Sequence, residues 1–300
     1  MSNEEKKILL SGESDRRVRA LVTDGNMRAV AVCAREIVSE LGRRHGLDDT
    51  QMQRMGEALI AALLVATSVK EGERLNLNIQ SSGQLRQVIV DVDHAANIRG
   101  YPIVHNFEEG DLADLNEDRG PWGTGILSFL KTQVTEGKQP YIGSVPLATG
   151  FLAKDATYYL LQSEQIASAV GISVLVEGGT VKSANGFLLQ MMPGASEGEI
   201  ESIESKLVES NHLTEKLERS QSPAEILGQL LDDCTFHLVG EESVQWFCNC
   251  SSDRVSRAIR LLGEKEIRSI LSEEGEAKTH CEFCLQEYTV SEAELKSFLG

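Results

Sequence analysis

The sequence predicts an α+β protein in three consecutive parts: a core of antiparallel sheet and packed helices (1–193), a helical linker (194–240) and a small zinc-binding domain (241–300). Three observations predict this class. Helical apolar spacing and period-two alternation follow one another along the first part, a Glu- and Ser-rich segment follows Pro193-Gly194, and four cysteines cluster late in the chain. With 300 residues and 41% hydrophobic content, the chain can bury a sizeable core.

Two helices are predicted near the start of the core. Residues 27–41 place apolar side chains near helical spacing, and Gly42 follows as a stop signal. Residues 49–67 predict a second helix. We expect this helix to be buried, because its apolar content rises through Leu59-Ile-Ala-Ala-Leu-Leu-Val-Ala.

Strands are predicted after these helices. Residues 75–79 alternate with period two, and residues 87–92 follow a Ser-Ser-Gly turn, which together predict a β-hairpin. Further strands are predicted at residues 125–131 and 139–142. The sheet should therefore be antiparallel.

The end of the core predicts a helix that meets a strand. Residues 163–170 are interpreted as the helix and residues 172–177 as the strand, with a break at Gly171. Gly178-Gly179 then turns the chain into another strand that includes residues 187–192.

The predicted linker carries only a narrow apolar stripe between residues 196 and 217. Its members are spaced for one face of a helix: Ile200, Ile203, Leu207, Leu213 and Leu217. Ser220-Gln-Ser-Pro interrupts the pattern before a second short helix that runs to Leu231. Isolated helices of this length are marginal in water, so this segment should depend on docking and could be held or released.

The four clustered cysteines form the spacing C-x-C…C-x-x-C, with Cys248 and Cys250 in the first pair and Cys281 and Cys284 in the second. Two close pairs of thiolates suit a tetrahedral zinc ion. The same spacing can close two local disulfides, so the group could bind metal, undergo redox chemistry, or alternate between both. No secretory h-region or membrane span is recognised, so we expect a cytoplasmic protein without membrane partners, where thiols are kept reduced.

The third part has few apolar residues to bury, and zinc would supply the missing stability. Thiolates are also the form of cysteine that oxidants attack. Oxidation would therefore remove the zinc ligands, destabilise the small domain and expose whatever it covers. If the small domain covers the linker, oxidation would expose an apolar surface.

The charge balance disfavours nucleic acid as a partner. The chain has 46 acidic and 29 basic residues, a formal net charge of −17, whereas nucleic-acid-binding zinc modules present basic surfaces. A local basic helix face lies between the cysteine pairs: Arg254, Arg257, Arg260, Lys265 and Arg268. Acidic residues are interleaved with it, so we interpret it as a solvated face.

The remaining candidate residues receive structural interpretations. Cys33 and Cys234 are expected to be small buried or half-buried residues. His280 precedes Cys281 directly and could compete for the metal, but a basic neighbour of the thiolates is the favoured interpretation. No catalytic set of residues is predicted, and we do not expect an enzyme.

Several long motifs, in order from about Met27 onward, resemble the family of redox-regulated heat-shock chaperones, the thirty-three-kilodalton chaperonins. Four of the similar stretches are Gly56-Glu-Ala-Leu-Ile-Ala-Ala, Gln139-Pro-Tyr-Ile-Gly-Ser-Val-Pro-Leu-Ala-Thr-Gly, Gly186-Phe-Leu-Leu-Gln-Met-Met-Pro-Gly-Ala and Cys248-Asn-Cys-Ser-Ser-Asp-Arg-Val. The stretch Cys281-Glu-Phe-Cys-Leu-Gln-Glu-Tyr is also similar. The chain departs from the pattern at Ala184-Asn-Gly, where a Gly-Gly is common.

This resemblance implies an ATP-independent holdase that binds unfolded or oxidatively damaged client proteins. It implies that Cys248, Cys250, Cys281 and Cys284 hold one zinc ion in the reduced, inactive form. On oxidation, the family resemblance implies disulfides Cys248–Cys250 and Cys281–Cys284, zinc release, unfolding of the linker and formation of a homodimer.

Two other functions are compatible with the cysteines themselves. A thiol–disulfide exchange enzyme would use Cys281-Glu-Phe-Cys284, although such pairs usually begin a helix in a thioredoxin-like βαβ setting. A constitutive zinc-ribbon interaction module would stay folded with zinc bound and would not respond to oxidation.

Overall fold

The computed structural model describes residues 15–22, 26–104, 119–133, 140–195, 198, 213–231 and 234–299. These residues belong to two compact units, of which the first extends to Trp246 and the second begins at Phe247. Both combine helices with antiparallel strands, so the predicted α+β class is confirmed. Within the described part of the chain, none of the helices combines the length and apolar character needed to cross a bilayer.

The first unit contains two sheets. Its strands are β1 Arg16–Val22, β2 Met27–Cys33, β3 Glu73–Ser81, β4 Leu85–Asp93, β5 Asn97–Val104, β6 Gly125–Gln133, β7 Tyr141–Pro146, β8 Ser168–Glu177, β9 Thr180–Met191, β10 Phe236–Ser243 and β11 Gln245–Trp246. One sheet has the order β10-β1-β2-β9-β8 and the other β11-β5-β4-β3-β6-β7. Neighbouring strands are antiparallel except for the short β11–β5 pair.

Helices pack on both faces of the five-stranded sheet. The helices among the described residues of the first unit are α1 Arg35–His45, α2 Asp49–Val65, α3 Leu152–Ser163, α4 Leu213–Arg219 and α5 Pro223–Leu230. Helix α2 contacts strands of both sheets and therefore lies between them. Its N-terminus is fixed by a capping box between Asp48 and Gln51. The prediction of a buried helix at 49–67 is confirmed, since most of α2 is buried and a short 3₁₀ turn continues it to Ser68.

The hairpin and several later strands also agree with the sequence. Strands β3 and β4 pair around residues 82–84, and β6 covers the predicted strand at 125–131. Strand β7 begins at Tyr141 and extends past the predicted strand, whose first residue, 139, lies outside the described residues. Gly178 and Gly179, both with positive φ, form the turn between β8 and β9.

Two predicted elements are wrong. Residues 27–33 form strand β2 and not the first half of a helix, which begins only at Arg35. The helix predicted at 163–170 is absent, because α3 ends at Ser163 and residues 168–170 already belong to β8. Gly171 does not break the chain but lies inside β8, paired with Phe187. A Cβ at this position would lie 2.1 Å from the Phe187 ring, so glycine is needed there for close packing and not for a turn.

Strand β10 joins the segment after the linker to the N-terminal part of the sheet. It pairs along its whole length with β1. The fully buried Arg17 of β1 donates to Glu242 of β10 and to the backbone oxygens of Leu63 and His94. The predicted boundary between residues 240 and 241 therefore falls inside a continuous strand, and Trp246, assigned from the sequence to the third part, is buried in the first unit.

The second unit is built from short elements around a small core. Its elements are α6 Ser252–Arg260, α7 Glu264–Glu273, α8 Glu292–Ser297, β12 Ala277–His280 and β13 Glu287–Val290. Five buried residues form its apolar cluster: Ile259, Ile267, Ala277, Val290 and Leu295. A core of this size supplies little stability alone, which agrees with the expectation that another bond holds this unit together.

Candidate metal centre

The four clustered cysteines lie on two separate segments of the second unit. Cys248 and Cys250 belong to a stretch without regular secondary structure that ends where Ser251 caps helix α6 by accepting a hydrogen bond from Arg254 N. Cys281 and Cys284 lie in the turn between β12 and β13. The antiparallel pairing of these strands fixes the direction of the turn. Two short, locally ordered segments thus present two thiols each.

The fold brings the four sulfur atoms together. All four Sγ atoms lie within 4.8 Å of one another. The shortest contacts join the two segments, at 3.7 Å between Cys248 and Cys281 and 3.4 Å between Cys250 and Cys284. Four ligands at the ~2.3 Å Zn–S bond length would be about 3.8 Å apart in a tetrahedron. The arrangement can therefore hold a metal ion, and its four sulfur donors suit zinc.

The electrostatics of the group favour a bound cation. Hydrogen bonds with the thiols of Cys281 and Cys284 lower the pKa of Cys248 to about 3. The hydrogen bonds with Cys248 and Cys281, together with burial, raise the pKa of Cys284. The first thiolate is thus stabilised by its neighbours, whereas further deprotonation places like charges a few ångströms apart. A divalent cation would remove that repulsion.

Protein groups also donate hydrogen bonds to these sulfurs. The backbone N–H of Cys250 donates to Cys248, and that of Gln286 donates to Cys284. The hydroxyl of Tyr288, on strand β13, donates to Cys250 Sγ at 3.0 Å. Burial, followed by the contact with Cys250, raises the pKa of Tyr288, so this hydroxyl stays protonated at neutral pH. Groups of this kind orient metal ligands and adjust their charge. Tyr288 was not predicted from the sequence, where its only signal is its position four residues after Cys284.

The other residues singled out from the sequence lie outside this group. His280 is half-exposed and pairs with Glu282 at 3.5 Å, and the described cluster of close ligand atoms does not include it. Cys33 is buried in the apolar cluster beneath α4 and α5, and burial raises its pKa to about 12. Cys234 packs half-buried against the same cluster. The structural interpretation of both cysteines is confirmed.

The Cys281-Glu-Phe-Cys284 pair does not lie in a thioredoxin-like setting. It occupies a hairpin turn, and no helix begins at either cysteine in the described second unit. The backbone N–H groups of a helix N-terminus, which activate such pairs, are therefore not available to it. The basic residues of α6 are exposed, as expected of a solvated face.

The linker helices dock on the face of the five-stranded sheet opposite α2. Four residues of this segment belong to the buried apolar cluster: Leu217 of α4, Ile226 and Leu227 of α5, and Leu231 directly after α5. They cover apolar side chains of β1, β2 and β9: Val18, Ala20, Val22, Met27, Ala29, Ala31, Phe187 and Leu189. Of the predicted stripe, Leu213 and Leu217 contribute to this contact, whereas Ile200, Ile203 and Leu207 lie outside the described residues.

A buried amide binds the turn between α4 and α5. Asn185 of β9 is only 3% exposed, and its Nδ2 donates to the backbone oxygens of Leu217 at 2.6 Å and Ser220 at 3.0 Å. Ser220 is also buried. The described part of the linker is thus held by an apolar cluster and by the two hydrogen bonds of the Asn185 amide. The sequence had indicated Asn185 only as a departure from the family pattern.

Comparison with known proteins gives a consistent result. A family model described as Hsp33 protein matches residues 15–291. The 33 kDa chaperonins of Geobacillus kaustophilus and Acetivibrio thermocellus are 36% and 34% identical, over 94% and 93% of this chain and 96% and 94% of those proteins. The crystal structure of the 33 kDa chaperonin (heat shock protein 33 homolog) from Thermotoga maritima superimposes with a TM-score of 0.82 at 29% identity, covering 96% of this chain and 98% of that one.

Proposed function

Because the chain belongs to the Hsp33 family of chaperones, we propose that it is an ATP-independent holdase controlled by oxidation of its clustered cysteines. In the reduced protein Cys248, Cys250, Cys281 and Cys284 hold one zinc ion, which neutralises the thiolates and joins the two segments that carry them. In this state the linker covers the apolar sheet face, and client binding is off. The protein acts in the cytoplasm.

The observation that carries this proposal is the convergence of four thiols from two segments. Oxidation forms disulfides Cys248–Cys250 and Cys281–Cys284. Because the shortest sulfur contacts run between the segments, 3.7 Å and 3.4 Å, a bond of about 2.05 Å within each pair draws the sulfurs away from their common centre. Zinc binding and both disulfides therefore exclude each other.

Loss of the metal centre weakens a unit whose described apolar core has five buried members. Unfolding of this unit then favours release of the linker that precedes it in the chain, whose described part docks through an apolar cluster and the Asn185 amide. Release uncovers the apolar side chains of β1, β2 and β9 that the linker covers. Such a surface is of the kind that binds unfolded chains. We assign client binding, and homodimer formation in the oxidised state, to this uncovered face.

The net charge of −17 keeps an activated protein with an uncovered apolar face soluble. It also favours clients over nucleic acid as partners. The acidic composition is therefore compatible with a holdase and unfavourable for a nucleic-acid-binding protein.

The test compares reduced protein with protein treated with peroxide at mildly raised temperature. Zinc release is followed with a chromogenic chelator, and suppression of aggregation of a thermally unfolding client is followed by light scattering, without ATP. We expect both to appear together. A Cys234→Ser variant should respond as the unmodified protein does, whereas Cys284→Ser should bind zinc poorly. Oxidised, zinc-free protein that leaves client aggregation unchanged would contradict the proposal.

The same samples test the two alternatives. Catalytic reduction of insulin disulfides in the presence of a dithiol would favour a thiol–disulfide exchange enzyme. Client binding by the reduced, zinc-loaded protein that does not change on oxidation would favour a constitutive zinc module.

A further inference from the structure

The side chain of Tyr288 donates a hydrogen bond to one of the four clustered sulfurs. Strand β13 places it opposite Thr279 of β12, and its hydroxyl donates to Cys250 Sγ at 3.0 Å. The ring is half-buried, which limits its freedom to turn away. Cys250 is itself half-buried, so an oxidant can approach it.

We propose that Tyr288 is a positioning residue that protects Cys250 and thereby slows formation of the Cys248–Cys250 disulfide. This inference rests on the proposed function, because it concerns the same thiol switch. The hydroxyl, 3.0 Å from Cys250 Sγ, occupies one lone pair of that sulfur and withdraws electron density from it. An attack by the sulfur on an oxidant must weaken this hydrogen bond, which slows the attack.

The chemistry of disulfide formation makes Cys250 important in either order of attack. In one order, the Cys250 thiolate attacks hydrogen peroxide, the O–O bond breaks, and a sulfenic acid and hydroxide form. The Cys248 thiolate then attacks that sulfur and expels hydroxide. In the other order, Cys248 becomes the sulfenic acid and Cys250 attacks it. Both consume one peroxide, oxidise two thiols to a disulfide and yield two waters after protonation. Cys250 donates an electron pair in each, so the Tyr288 hydrogen bond slows both.

The expected size of the effect follows from the strength of the hydrogen bond. The attack by Cys250 gives up part of the Tyr288 hydrogen bond in the transition state, and the loss of about half of a charge-assisted hydrogen bond slows a reaction roughly three- to tenfold. Removal of the hydroxyl should therefore accelerate oxidation of the Cys248–Cys250 pair about three- to tenfold.

The experiment uses the full-length, zinc-loaded protein and its Tyr288→Phe variant, which keeps the ring. Peroxide is added, samples are quenched with an alkylating reagent, and each pair is quantified by mass spectrometry. Trypsin releases Cys281 and Cys284 together in residues 279–296, and a glutamate-specific protease added to trypsin releases Cys248 and Cys250 in residues 243–254. Tyr158→Phe, at an exposed tyrosine of α3, is the matched control.

We expect faster closure of the Cys248–Cys250 pair in Tyr288→Phe, an unchanged rate for Cys281–Cys284 in the same sample, and no effect of Tyr158→Phe. An equal or slower rate at Cys248–Cys250 would overturn the proposal, the slower rate indicating that the hydroxyl assists the leaving group. Zinc content and circular dichroism before oxidation establish that the variant is folded. If unmodified protein loses zinc but holds no client, the proposed function fails while the Tyr288 comparison remains readable.

Discussion

Replacement of Asn185 by alanine should release the linker without oxidation. The amide of Asn185 makes the two hydrogen bonds, at 2.6 Å and 3.0 Å, that join β9 to the turn between α4 and α5. The substitution removes both donors and leaves two buried carbonyl oxygens without them. At about 1–2 kcal/mol for each lost bond, the docked linker loses about 2–4 kcal/mol. The equilibrium constant for linker opening should rise about 30- to 1,000-fold.

Limited proteolysis of the reduced, zinc-loaded protein measures this opening. Lys216 and Arg219 are exposed on α4, but trypsin must unfold the helix before it can cut, so the cleavage rate follows the open population. Asn78→Ala is the control, because Asn78 is half-buried on β3 and bonds only to the Gln87 side chain in the described contacts. We expect faster cleavage and peroxide-independent client holding in Asn185→Ala alone.

A folded Asn185→Ala protein that is cut at the unmodified rate would refute this reasoning. It would mean that the apolar contacts of Leu217, Ile226 and Leu227 hold the linker without the amide. Amide hydrogen exchange over residues 213–231 provides a second measure of the same opening, and unchanged protection there would lead to the same conclusion.

Three further predictions concern the two units separately. Arg17→Leu should lower the free energy of unfolding of the first unit, measured in urea, by about 3 kcal/mol, because it breaks a buried ion pair. Arg19→Leu is the control: its side chain is 42% exposed, so the substitution should lower that free energy by less than about 1 kcal/mol. Burial raises the pKa of Asp15 from 3.8 to about 6, although the backbone hydrogen bonds from Ile37 and Glu36 act to lower it. The folded state therefore binds this proton more tightly than the unfolded state, and the stabilisation present below about pH 4 is lost as the pH rises through about 6. Urea titrations of Asp15→Asn should lack this part of the pH dependence. Zinc chelation should increase hydrogen exchange across residues 247–299 and leave α2 protected; equal exchange in both would contradict the assignment of the metal centre.

Sequence patterns predicted the elements whose two faces have different surroundings. Strands β3 and β4 alternate between buried and half-exposed residues, and that alternation was visible in the letters. Strand β2 is buried on both faces, against α2 on one side and the linker on the other. Its run Met-Arg-Ala-Val-Ala-Val-Cys therefore has no period of two, and it was mistaken for a helix.

Charged strands were missed for a related reason. The run Arg-Arg-Val-Arg of β1 gives no apolar signal, yet Arg17 is buried because Glu242 and two backbone oxygens satisfy it. That partner lies 225 residues away in the chain. No local pattern can indicate a strand whose stability depends on such a distant residue.

The four cysteine ligands of the candidate site could be predicted from the sequence, because each pair has a characteristic spacing. The spacing of Cys248, Cys250, Cys281 and Cys284 indicated a common centre, and the structure brings their sulfurs together. Tyr288 and Asn185 were not predicted, since a single hydrogen bond across a fold leaves no periodic trace.

The attachment of the linker at both ends limits how an uncovered face can be used. Strand β9 ends at Met191 and β10 begins at Phe236, and both belong to the same five-stranded sheet. A released linker is therefore a tethered loop with a reach of roughly 40 Å, and its effective concentration at the sheet is in the millimolar range. Under the proposed function, every client would compete with this internal ligand. Re-docking of the loop after the thiols are reduced would then displace the client without ATP.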